Sequence, residues 1–309
     1  MRAHLPNVTD AELNRAAVQG LLEAFSPKVS MVNGATAQAT NVLVSRTNVF
    51  DGQIAYVRVV RVGEGLDKAI RSAWQELSQT NKLDGLVLDL RYAGGDDYAA
   101  AAAAADVLVR KEQPLLDWGK GMVRSARTND AIAVPVTALV NRRTSGSAEA
   151  LAAVLQQTGT ALVLGERTAG AAMVSQEFPL KGGERLHIAT TPVHLGDGTV
   201  VSNEGLQPEI AVQVSPQDAR AYYADAYQDL SRGGLAAGAS TNSATSNRVR
   251  RVPLNEAELV RERKEGINAE SDALAAHDTT PEKPVVRDPV LARALDVLKG
   301  LAVIRKAHS

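Results

Sequence analysis

Between residues 83 and 210 the chain repeats one pattern: a short apolar run, a helical stretch, then another apolar run. The runs at 86–90, 133–140 and 161–164 read as buried strands. The helical stretches at 98–109 and 150–157 separate them. Strands joined by helix-length connections run parallel, because the crossover returns the chain to the same end of the sheet. This order predicts an α/β layer with a parallel sheet. Hairpin signals follow it. Residues 176–180 and 185–192 pair around Lys181-Gly182-Gly183-Glu184, and Gly196-Asp197-Gly198 marks another turn.

Less constraining segments lie on either side. Thr9 and Glu12 fit a capping box, after which Leu13, Ala16, Ala17, Leu21 and Ala24 share one helical face. Residues 31–41 are polar and small, without a period. Residues 41–50 and 53–62 read as strands joined at Asp51-Gly52, a strong two-residue hairpin signal. A helix over 66–77 places Ile70, Ala73, Trp74 and Leu77 together. Asp96 and Asp97 open the helix at 98, where negative charge suits the macrodipole. Its run of alanines has little side-chain volume, so it can lie close to a neighbour. Beyond 210, residues 218–230 read as a short helix and 231–247 as a flexible linker. A charged helix at 255–265 and a Pro-rich stretch at 277–287 follow. Asp288-Pro289 opens a last helix, with Leu291, Ala294, Leu295 and Leu298 on one face. The expected organisation is a helical segment at 1–40, an α/β core at 41–215 and a helical region at 216–309 containing the linker.

Composition removes several functions. The formal net charge is -1, which gives no reason to expect nucleic acid as a partner. There is no Cys, so disulfides and thiolate chemistry are excluded. No His, Asp or Glu cluster has ligand spacing, so neither metal nor cofactor is expected. No apolar run is long enough to span a membrane. No hydrophobic stretch follows the first six residues, so no signal peptide is expected in this chain. Aromatics are only 4%, and the core must therefore be built from Ala, Val and Leu.

The sharpest chemical feature is Asn141-Arg142-Arg143-Thr144-Ser145-Gly146-Ser147-Ala148-Glu149. It lies between the strand at 133–140 and the helix at 150–157, with Gly159 placed as a C-cap glycine. A small-residue turn of this kind presents side chains and bare N–H groups at a helix N-terminus, a setting for a nucleophile or an anion. The plainer reading is a tight connection, with Ser145 and Ser147 as ordinary N-cap residues. Gly94 and Gly95 follow the strand at 86–90 at once, and glycine pairs of this kind serve as plain turns. Asp89 either pairs with Arg91 and local N–H groups or joins His187 or His194 in a Ser–His–Asp arrangement. Each histidine also reads as a surface residue.

Four motifs in order carry a resemblance. Leu88-Asp89-Leu90-Arg91-Tyr92-Ala93-Gly94-Gly95 resembles the "DLR…GG" segment of the tail-specific, or carboxyl-terminal processing, serine peptidases. Residues 141–149 resemble their nucleophile turn, 165–170 their "GE-x-T-x-G" segment, and 205–210 their closing "G-hydrophobic-x-P-acid-hydrophobic" motif. The resemblance implies a crotonase/ClpP-like core of stacked parallel strands and helices with β-hairpins. It also implies flanking N- and C-terminal helices, a Ser–Lys dyad, and a polypeptide substrate. The PDZ module common in the family has no room in residues 25–41. Location outside the cytoplasm, periplasmic or secreted, is implied by the relatives. The terminal helices are the candidate surfaces of a homodimer.

The resemblance breaks at the dyad. The family serine stands three residues before the glutamate matched by Glu149, and that position is Gly146. The family lysine follows the glycine matched by Gly170, and that position is Ala171. A serine needs a neighbouring base, and a lysine serves as one only when kept neutral. The resemblance therefore implies a serine-type peptidase by descent with impaired catalysis. The alternative is a non-catalytic polypeptide-binding or scaffold protein on the same fold. A shifted nucleophile at Ser147 or Ser145 is a further reading, and its base is hard to find. Arg167 stays protonated, and Lys181 sits in the turn of a hairpin. Gly94, Gly95 and the Ser147 N–H are the expected oxyanion or substrate-binding groups.

Overall fold

The computed structural model describes residues 9–25, 29–32, 42–126, 131–179, 185–230 and 285–307. The charged helix expected at 255–265 and the linker at 231–247 lie outside them.

The main sheet is built from β2 (Val44–Phe50), β3 (Ile54–Val59), β4 (Gly85–Asp89), β7 (Val136–Val140), β8 (Ala161–Gly165) and β12 (Ile210–Ala211). Its order is β12-β8-β7-β4-β3-β2. From β3 to β12 every neighbour pairs in parallel, and only β2 runs antiparallel to β3. The β2–β3 turn falls on Asp51-Gly52, both at positive φ, as the hairpin signal requires. The sheet is thus the mostly parallel one expected from the alternation of apolar runs and helices.

The crossovers are α2 (Leu66–Thr80), α3 (Tyr98–Asp106) and α4 (Ser147–Gln157). They bury one side of the sheet. Ala55, Val57, Val59, Leu86, Leu88, Leu90, Val136, Ala138 and Val140 meet the alanine face of α3 and the small residues of α4 there. Ala101, Ala104 and Ala105 are fully buried. The low side-chain volume of α3 lets it approach α4 closely.

Alternate strand residues point the other way, and a different element covers them. Helix α6 (Pro289–Ala307) packs on β4, β7 and β8. It buries Leu291, Ala294, Leu295 and Leu298, the face read from the sequence. Leu298 lies so close to Gly85 that a Cβ there would sit 3.3 Å from it. Each such leucine contributes about 1.5–3 kcal/mol of burial. The last helix is therefore a layer of the core unit, which comprises residues 1–215 and 289–309.

Two smaller sheets complete this unit. One is β1 (Val29–Val32), β10 (Arg185–Pro192) and β9 (Met173–Pro179) in that order. The other is β11 (His194–Leu195), β5 (Pro114–Asp117) and β6 (Val123–Arg124). Strand β1 carries no alternation strong enough to be read from four residues, and it exists through its antiparallel register with β10. Helix α1 (Asp10–Ala24) starts with the expected capping box: Glu12 N–H donates to Thr9 Oγ1 at 3.3 Å, and Thr9 N–H to Glu12 Oε2 at 2.8 Å.

A second unit spans residues 216–288. Its described part holds α5 (Pro216–Ala224), an Arg287–Asp229 pair at 3.3 Å, and the N–H groups of Arg287 and Asp288 donating to Ala226 O.

Candidate active site

The carboxyl ends of β4, β7 and β8 converge, the usual place for a site in a parallel sheet. Strand β7 delivers Asn141, and this side chain shapes the turn. Its Oδ1 accepts from Arg143 N–H at 3.0 Å and from Tyr92 N–H at 3.1 Å. Its own N–H donates to Thr144 Oγ1 at 3.0 Å, and the Thr144 hydroxyl donates to Leu90 O at 2.8 Å. The turn after β7 is thereby stitched to the exit of β4. Tyr92 takes φ 63 there, an uncommon conformation for a bulky residue.

Gly146 is the N-cap of α4, at φ 61 and ψ -128. This is the sharp strand-to-helix bend of a nucleophile elbow, in a region that L side chains rarely adopt. The other wall of the bend is residues 93–95. Ser145 N–H donates to Ala93 O at 3.0 Å and Ser147 N–H to Gly95 O at 2.9 Å. On its far side the same segment takes Val62 N–H on Gly94 O at 2.8 Å, and Gly94 N–H reaches Val60 O at 3.4 Å. The glycine pair is thus clamped like a short strand between 60–62 and 145–147. The fit is tight. A Cβ added at Gly146 would overlap Gly95 O, and one at Gly95 would overlap both Val62 O and Ser147 Oγ.

Ala171, which the resemblance matches to the family lysine, is held differently. Glu149, fully buried in the first turn of α4, accepts from Gly170 N–H and Ala171 N–H, both at 2.9 Å, and from the Thr168 hydroxyl. Thr168 Oγ1 in turn accepts from Leu206 N–H at 2.7 Å. One carboxylate therefore fixes the loop after β8 and, through Thr168, the segment before β12. Burial pushes its pKa up, and the hydrogen bonds from Thr168, Ala171 and Gly170 only partly oppose this. Tyr98 donates to Met173 O at 2.9 Å, and burial together with the Glu149 charge raises its pKa.

The remaining candidates differ in their surroundings. Ser147 is fully buried, and its hydroxyl has only a 3.5 Å contact to Val62 O. The Ser145 hydroxyl lies against Gly94, 3.3 Å from where a Cβ would be. Asp89 is saturated: Arg91 Nε donates to Oδ1 at 3.0 Å, Arg91 Nη2 to Oδ2 at 2.8 Å, and Tyr56 OH to Oδ2 at 2.6 Å. Burial alone would raise its pKa, but the Arg91 guanidinium and these hydrogen bonds outweigh it and hold the carboxyl below its ordinary value. The pairing with Arg91 is the observed alternative for Asp89. His187 meets Glu177 at 2.9 Å across the β9–β10 hairpin, and His194 Nδ1 lies 3.4 Å from Gly198 O.

Beside the turn, Arg142, Glu166, Arg167, Thr168, Gln207 and Gln213 line a polar cavity of about 520 Å³. Arg142 pairs with Glu166 at 3.5 Å, and Arg167 with Gln207 at 3.0 Å and Glu204 at 3.4 Å. The roles of Glu149, Thr144 and Asn141 were not read from the sequence. A glutamate among alanines in the first turn of an otherwise apolar helix was the available signal, since a buried acid must find donors.

Residues 53–212 match the model of peptidase family S41. The chloroplastic C-terminal processing peptidase of Tetradesmus obliquus is 29% identical over 169 residues, which are 53% of this chain and 36% of that protein. The carboxy-terminal-processing protease of Bartonella bacilliformis is 26% identical over 171 residues, 53% of this chain and 39% of that one. The chain thus spans well under half the length of these curated relatives. A crystal structure of a peptidase candidate from Parabacteroides merdae superposes with a TM-score of 0.54 at 16% identity, covering 70% of this chain and 80% of that chain, and so shares the fold. The matched region takes in β3, the clamped glycines, the elbow and the Glu149 tether, and with it the chain belongs to peptidase family S41, that of the carboxyl-terminal processing peptidases.

Proposed function

We propose that this chain binds extended polypeptide at the carboxyl end of its sheet and does not cleave it. The observation that carries this reading is the contact at the elbow. Position 146 is glycine, and Gly95 O occupies the space into which any side chain there would project. The base position is Ala171, which cannot accept a proton. Ser147 does not take over, because its hydroxyl is buried against Val62 O and no neutral amine or imidazole contacts it among the described residues. Two of the three oxyanion groups are also engaged, with Ser147 N–H on Gly95 O at 2.9 Å and Gly94 N–H reaching Val60 O at 3.4 Å. A polypeptide ligand follows from family membership. The polar cavity beside the turn supports it, because paired arginines and glutamines can exchange partners with a peptide backbone.

The test is incubation with an intrinsically disordered protein such as casein, read by fluorescence anisotropy and mass spectrometry together. The expected outcome is saturable binding, an unchanged substrate mass, and the same affinity after Ser147→Ala. Discrete fragments that vanish on Ser147→Ala would show a working shifted nucleophile. Absence of binding would remove the polypeptide reading.

A further inference from the structure

The opposite end of the sheet carries a second cavity, of about 480 Å³. Its walls come from residues just before β7 (Val134, Pro135), from the segment between α4 and β8 (Thr158, Gly159, Thr160), from the stretch after α3 (Arg110, Lys111, Gln113) and from Arg305 near the end of α6. These groups stand at the amino ends of β7 and β8. The candidate active site stands at their carboxyl ends. Five-residue strands put roughly 16 Å between the two.

The lining is cationic. Arg110, Lys111 and Arg305 contribute positive charge, and no acidic side chain lines the cavity among the described residues. Neither Arg110 nor Lys111 has a carboxylate partner among the described residues, although the chain as a whole carries a net charge of -1. Arg110 and Lys111 are like charges at adjacent positions, and an anion between them offsets their repulsion.

We propose that this cavity binds a small polyanion carrying two or more phosphoryl or carboxylate groups. Several separate cations match a ligand with separated negative charges better than a single monoanion. Arginine further favours planar, two-point recognition of such groups. The cavity volume suits a small molecule. Because Arg305 belongs to α6 and the other cations do not, the occupant also bridges α6 to the rest of the core.

The test is isothermal titration of the full chain with inorganic pyrophosphate and with citrate, at fixed ionic strength and without divalent metal. One-to-one binding of either supports the proposal, and the preferred probe identifies phosphoryl or carboxylate as the group taken. Arg110→Gln with Lys111→Gln removes two exposed charges, and circular dichroism checks the fold. The double variant should weaken binding by about tenfold or more. Arg185→Gln, on the distant β9–β10 hairpin, should leave it unchanged. No binding of either probe at millimolar concentration, or an equal loss in Arg185→Gln, overturns the proposal.

Discussion

Gly146 and Ala171, the two positions that the resemblance matches to the dyad, differ in their surroundings. At 146 the backbone closes the space, with Gly95 O standing where a Cβ would have to go. At 171 a Cβ is already present, and the backbone is held where a base would be needed, its N–H on Glu149 at 2.9 Å. The first is set by the path of two chain segments, the second only by the length of a side chain. The contrast teaches that the support around a reacting group and the space for it are separable, since one survives here without the other.

The largest expected effect breaks the contrast at its closed side. Gly146→Ser must relieve both a left-handed backbone and an overlap with Gly95 O, and should cost about 3 kcal/mol of stability. The midpoint of urea unfolding measures it. An unchanged midpoint would mean that the 93–95 segment yields easily and that the closure is soft. The next effect probes the held side. Glu149→Gln keeps the volume but turns an N–H₂ group towards donors, leaving a buried N–H or hydroxyl unmatched at about 2 kcal/mol. Ala171→Lys should cost less than about 1 kcal/mol, because the residue is half-buried and its backbone need not move. A loss as large as that of Gly146→Ser would erase the distinction. Ser147→Ala should shift stability by less than about 1 kcal/mol, since its hydroxyl makes only a long contact.

The buried acids behind the turn sharpen the comparison through pH. Glu149 is surrounded by neutral donors, and burial raises its pKa on folding. Its contribution to stability is therefore complete below the unfolded value and declines as pH rises through the folded one. Asp89 is held by Arg91, and its pKa falls on folding. Its contribution is complete above the unfolded value and is lost as pH falls through the folded one. The stability–pH profile should thus lose its alkaline-going decline in Glu149→Gln while keeping its acid loss. A variant profile parallel to that of the parent would contradict the assignment.

Much of this frame was legible in the sequence because it rests on local signals. Short apolar runs separated by helices dictate parallel strands, Asp51-Gly52 dictates a hairpin, and Thr9 with Glu12 dictates a helix start. The apolar face of α6 was equally plain. Its destination was not, because nothing in that face names the side of β4, β7 and β8 it covers. Strand β1 depended on a partner strand far along the chain, with Val29 opposite Ile188. The positions that the resemblance matches to the dyad, Gly146 and Ala171, could be counted from motif spacing. The closure of the elbow could not, because it arises where Gly95 and Gly146, 51 positions apart, are pressed together by hydrogen bonds on both sides.

At Gly146, which the resemblance matches to the family serine, the space for a side chain is closed by Gly95 O. The most direct measurement is turnover of a disordered polypeptide by the variant carrying both Gly146→Ser and Ala171→Lys, followed by mass spectrometry. The expected outcome is a folded, less stable protein that leaves the polypeptide intact. Steady cleavage by that variant, lost again when position 146 alone is reverted to glycine, would contradict it.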